Sequence, residues 1–87
     1  MLKFPYRNML VNSTAQLGKA VRDARKAKGL RQAELALAAG TGRRFIVDLE
    51  HGKPTAQLGG VLRVLQALGL DLDLQPRGAE AGWKRLS

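Results

Sequence analysis

The feature that most constrains this chain is a pair of short segments with helical periodicity, joined by glycines, in its middle. Gln32–Ala39 carries Ala33, Leu35, Ala36 and Ala39, and Arg43–Glu50 carries Phe45, Ile46 and Leu49. Spacings of three and four place such residues on one helical face. Between the segments lies Gly40-Thr41-Gly42, a turn by composition. The alanines leave little more than methyl groups between neighbouring backbones, so two helices can approach closely. His51-Gly52-Lys53-Pro54 ends the second segment, because glycine caps a helix and proline cannot continue one. Helices this short are marginal alone, so the flanks must complete the core.

The flanks have the required pattern. Asn12-Ser13-Thr14 is a helix start, and Leu17, Ala20, Val21 and Ala24 follow on one face until Gly29. This predicts a helix from about Thr14 to Lys28. Another is expected behind Thr55 as N-cap, reaching about Leu68 and closed by Gly69. Its broad apolar side is Leu58, Val61, Leu62, Val64, Leu65 and Leu68. Gly59 and Gly60 lie within it, each costing about 1 kcal/mol relative to alanine. A close backbone contact would explain them. Leu70 to Gln75 then alternates strictly between apolar and polar, the period of a half-buried strand, until Pro76. The expected fold is all-α with a small added strand: a compact bundle of four or five helices. Residues 1–13 form an N-terminal arm, 14–69 the helical domain, 70–76 a dimerisation strand and 77–87 a flexible tail.

Composition narrows the class of partner. The chain has 87 residues, 45% of them hydrophobic, which fits one small domain with a core. It has no cysteine and one histidine, which argues against disulfides and zinc sites, and no cofactor is expected. Lys and Arg number 15 against 7 Asp and Glu, a net charge of +8. Such a balance points to a polyanion. Between Met1 and Leu30 lie Lys3, Arg7, Lys19, Arg22, Arg25, Lys26 and Lys28 against Asp23 alone. No apolar run approaches the roughly 18 residues of a membrane span, and Met1 to Asn12 reads as neither signal peptide nor anchor. A membrane-surface role for Arg22–Lys28 is a remote alternative, since Leu17 and Val21 are needed by the core. An enzyme is not expected. Nothing near His51 makes a nucleophile–base pair, and Gly40-Thr41-Gly42 is too short for a phosphate-binding loop. The composition fits a cytoplasmic nucleic-acid binder, with no membrane partner and no catalytic residue.

Two short helices joined by a glycine turn, the second amphipathic and basic at its start, form the helix-turn-helix arrangement. In it the second helix enters the major groove and its N-terminal residues meet base edges. The stretch VRDARKAKGLRQAELALAAGTGRRFIVDLEHGKPT resembles the XRE (Cro/repressor-like) helix-turn-helix family. The matching features are Arg25, Gly29-Leu30, Gln32, Glu34-Leu35-Ala36, Gly40, Ile46, Leu49-Glu50 and Gly52-Lys53, within a match spanning roughly Leu17 to Leu68. The ending LRVLQALGLDLDLQP, a helix running into an alternating strand, looks like the HipB-type antitoxin branch, also known as y4mF-type regulators.

Site expectations follow. Arg43 and Arg44 are the leading readers of bases, with Val47 and Asp48 beside them. An arginine can bond guanine O6 and N7 together, and Val47 can touch a thymine methyl. Asp48 can accept from cytosine, against the simpler outcomes of solvation or a local ion pair. Lys53, Arg31 and Thr41 are expected at phosphates, and the resemblance implies the same for Gln32. It also implies a structural Arg25–Glu50 salt bridge. Two departures from the family pattern stand out. Arg31 replaces the usual Thr, Ser or Asn cap, and Val47 replaces a frequent Ser. His51 reads as a solvent-facing loop residue.

The strand has no evident partner within the chain. Pairing with a second copy would bury Leu70, Leu72 and Leu74 and make a homodimer, suited to double-stranded DNA with a palindromic operator. Pairing with residues near Met9–Val11, of the same or the other chain, is the alternative. The resemblance further implies a HipA-type serine/threonine kinase toxin as partner and repression of the chain's own operon. Trp83 is either an anchor for that partner or a residue folded back on its own domain or on the other protomer. A regulator without a toxin is the alternative function.

Overall fold

The computed structural model describes residues 10–74 and 76. Among them are four helices: α1 (Thr14–Ala27), α2 (Gln32–Ala39), α3 (Arg43–Glu50) and α4 (Leu58–Ala67). Ser13 caps α1, its Oγ accepting from the Gln16 N–H at 3.1 Å. The Gln16 side-chain oxygen in turn accepts from the Asn12 N–H. Arg31 precedes α2 and has no side-chain acceptor, so Glu34 supplies half of a capping box, accepting from the Arg31 N–H at 2.7 Å. The helix ends are alike. At Gly40, φ is +72°, and the Thr41 N–H reaches back to the Ala36 carbonyl at 2.9 Å. A side chain there would be strained, so this glycine makes the tight turn between α2 and α3 possible.

The core gathers one face from every helix. Val21 and Ala24 meet Leu35, Ala36 and Ala39, with Ile46 and Leu49 from α3 and Val61, Val64, Leu65 and Leu68 from the last helix and its cap. Leu17, Phe45, Ala56 and Leu70 pack around it. α3 lies against both α1 and α2, and α4 packs on α2. The C-terminal end of α3 is seated against Gly18 of α1. A Cβ on Gly18 would clash with the Leu49 carbonyl and stand 2.7 Å from that of Glu50. α1 therefore approaches α3 backbone to backbone.

Two expectations change. Thr55 does not cap α4; it lies exposed in a turn, and Gln57 is the N-cap. The chain first brings Ala56 against the core, which delays the helix to Leu58. The paired glycines therefore lie in its first turn, and only Gly60 has a close neighbour, the ring of Phe45. Gly59 is exposed. Leu70 to Leu74 forms no strand with any described residue, and Gln75 lies outside the description. Leu70 is half-buried on the core, while Leu72 is 59% and Leu74 86% exposed. The alternation is present in the sequence, but no described residue of the single copy offers it an edge. Trp83, Lys3, Arg7 and Met9 also lie outside the described residues. No helix among the described residues is long and apolar enough to cross a membrane.

Candidate nucleic-acid interface

α3 divides its residues by face. Ile46 and Leu49 are buried, while Arg43 and Arg44 are exposed in its first turn. No acidic residue offsets them there. Cations at a helix N-terminus oppose the macrodipole, by about 0.3–1 kcal/mol each at exposed sites. Through the dipole, then, neither arginine stabilises the start of the helix. With the free N–H groups of that turn they create an electropositive end, which suits an anion.

The two arginines are not equivalent. Arg44 Nε donates to Asp48 Oδ1 at 3.2 Å, and Lys53 Nζ lies 3.5 Å from Asp48 Oδ2. Asp48 thus sits between two cations, the local ion pair set against base contact in the sequence reading. Arg43 has no ion-pair partner among the described residues. Val47 is half-buried beside them. Thr41, half-buried in the turn, donates its hydroxyl to the Gly42 carbonyl at 3.2 Å.

At the other end of α3 the charge is internal. Arg25 grips Glu50 with two bonds, Nε to Oε2 at 2.6 Å and Nη2 to Oε1 at 3.1 Å. Its Nη1 donates to the Leu30 carbonyl at 2.8 Å. Gln32 Nε2 adds a bond to Glu50 Oε1 at 3.1 Å. This network ties α1, the α1–α2 connection, the start of α2 and the end of α3 together. It also directs the Gln32 side chain inward, so a phosphate would have to use its second N–H or displace Glu50. Beside the network is an open cleft of about 570 Å³, whose basic rim is Arg22, Lys26, Arg31 and His51. The His51 ring donates from Nδ1 to the Val47 carbonyl at 2.8 Å, which leaves Nε2 free of that bond. The sequence reading placed Arg22 and Lys26 in a charge run but not in a site, and set His51 aside. The i,i+4 spacing of the first two was the available signal. No group of three His, Cys, Asp or Glu able to hold a metal occurs among the described residues.

A short recognition helix seated on a core, with basic residues exposed at its start and a glycine turn before it, defines the helix-turn-helix class of DNA-binding domain. The helix-turn-helix family model matches residues 21–75, and the chain belongs to that family, in its XRE-type group of DNA-binding transcriptional regulators. It is 56% identical over 68 residues to the uncharacterized HTH-type transcriptional regulator y4mF of Sinorhizobium fredii (strain NBRC 101917 / NGR234), covering 78% of this chain and 90% of that protein. It is 34% identical over 59 residues to the ImmF control region 10 kDa protein of Bacillus phage phi105, covering 68% and 66%. Among solved structures, a HipB variant in its O2 20mer complex superposes with a TM-score of 0.76 at 28% identity, covering 83% of this chain and all of that one. The restriction-modification controller protein C.AhdI of Aeromonas hydrophila gives 0.61 at 31% identity, covering 67% and 84%.

Proposed function

We propose that this regulator is a sequence-specific repressor that binds a palindromic operator as a homodimer. Arg43 and Arg44 read bases in the major groove, with Val47 against a thymine methyl. Gln32, Arg31, Thr41 and Lys53 hold phosphates, and Arg25–Glu50 keeps the frame. The observation that carries this reading is the exposed Arg43 at the electropositive start of α3, which has no ion-pair partner among the described residues. Its test is enrichment of duplexes from a random-sequence pool. A palindrome with half-sites about one helical turn apart is expected. Recovery of unrelated sequences would defeat the reading.

The dimer half of the reading is supported by exposed apolar side chains. Leu58 and Leu62 on α4 and Leu72 and Leu74 beyond it all face solvent in the single copy. Pairing of residues 70–75 from two copies would give each strand an edge and cover Leu72 and Leu74. Leu70 contributes less, because it already packs on its own core. A Leu72→Lys variant should sediment as a monomer; an unchanged dimer would move the interface elsewhere.

The likeness to HipB, which extends to a solved HipA–HipB–O2–O3 complex at a TM-score of 0.74, supports a finer role. In this reading the chain is the antitoxin of a HipA-type serine/threonine kinase toxin and represses the operon that encodes both. Trp83, in the tail, is the anchor for that partner. Co-purification from the native host of a kinase-like protein encoded beside this gene tests it. The likeness to C.AhdI and to the phage control-region protein favours a second reading, a regulator without a toxin. It predicts the same operator behaviour with no kinase retained.

A further inference from the structure

α4 packs mainly on α2, yet it reaches both sides of the glycine turn. Gly60 is buried, and a Cβ added to it would stand 2.6 Å from Phe45 Cζ and 3.1 Å from both Cε atoms. The Phe45 ring therefore rests directly on the α4 backbone. Phe45 belongs to the first turn of α3, adjacent to Arg44 in sequence. One helical turn beyond Gly60, Arg63 donates its Nε to the Ala39 carbonyl at 3.3 Å. Ala39 is the last residue of α2. One contact thus holds the end of α2, and the other holds the start of α3.

We infer that Gly60, Phe45 and Arg63 are positioning residues that set how α3 is presented to DNA, and so govern sequence discrimination without touching a base. The inference rests on the reading of α3 as the base-reading helix. Recognition geometry must be held within about 0.5 Å and 10–20°. A methyl at position 60 must displace the Phe45 ring, because contacts this short do not occur. The ring is flat and rigid, so the displacement passes into the turn that carries Arg43 and Arg44. The conflict is with the tip of a side chain and not with backbone, so the helices persist while α3 moves. Flexible lysines and arginines at phosphates absorb a small shift, whereas two-pronged contacts to a base edge do not.

The test compares Gly60→Ala, Phe45→Leu and the double variant on a duplex enriched by the wild-type protein and on its scrambled counterpart. With helical circular dichroism retained, Gly60→Ala should lower the ratio of the two affinities about tenfold, the loss of one good base contact. The double variant should recover most of it, since leucine removes the ring tip. Arg63→Ala should lower the ratio less. A wild-type ratio in Gly60→Ala, or a loss that Phe45→Leu does not rescue, overturns the inference. A DNA-free arm judges the link separately. Amide chemical shifts of Arg43–Asp48 should move in Gly60→Ala and return in the double variant; unmoved amides also overturn it. A wild-type protein that enriches no sequence would instead remove the base-reading role of α3, whatever those amides do.

Discussion

Arg25 and Arg43 are the same residue type near opposite ends of α3, with opposite fates. The Arg25 side chain is 10% exposed and its partner Glu50 4%. Its donors are directed at Glu50 and the Leu30 carbonyl. Arg43 is exposed and makes no ion pair with a described residue. Both count equally in the net charge of +8, but only one is available to a polyanion. Charge composition therefore identifies the class of partner, while burial and pairing identify the contact.

The largest effect should come from breaking the internal side of this comparison. Glu50→Ala leaves Arg25 buried without its counter-charge and removes the acceptor of Gln32. Stranding a buried charge costs about 3–5 kcal/mol. That is a large part of the roughly 5–15 kcal/mol by which folded proteins are stable. The urea midpoint should fall steeply or the transition disappear. An unchanged midpoint would mean that water replaces Glu50 without cost, and the contrast with Arg43 would collapse. Replacing both partners with apolar residues, Arg25→Met with Glu50→Leu, should recover most of the loss.

The exposed side should behave oppositely. Arg43→Ala should change stability by no more than about 0.5 kcal/mol. It should cost about 1–3 kcal/mol of preference for an enriched duplex over a scrambled one. Lys53→Ala should weaken both duplexes alike and reduce the salt slope by about 1. Equal losses on both duplexes for Arg43→Ala would reassign that residue to phosphate.

What the sequence revealed follows the range of the signals. α2 and α3 were legible to the residue because glycines at 40, 42 and 52 and the proline at 54 punctuate them locally. The start of α4 was not. Thr55 has the right chemistry for a cap, but Ala56 packing on the core overrides it. The Arg25–Glu50 pair spans 25 positions and leaves no local trace; family resemblance alone suggested it. Gly60 announced a cost without naming the partner, because Phe45 lies on another helix. The cleft rimmed by Arg22, Lys26, Arg31 and His51 joins three segments and became visible only when they were folded together.

Asp48 lies between the two regimes and sharpens the comparison with the smallest effect. It is half-buried and holds Arg44 and Lys53, whose side chains are 86% and 52% exposed. Exposed pairs of this kind contribute about 0–1 kcal/mol, so Asp48→Asn should hardly move the urea midpoint. Its effect on DNA separates two roles. If Asp48 restrains the exposed cations Arg44 and Lys53, its removal frees them and removes a negative charge from the interface. Affinity for enriched and scrambled duplexes should then rise together, by a few-fold at low salt, and the salt slope should steepen because more counterions are released. If Asp48 instead accepts from a cytosine amine, the variant should lose affinity for the enriched duplex alone. Titrations at two salt concentrations distinguish these outcomes. A joint rise would place Asp48 with Glu50, as an acid that decides which cations reach the DNA.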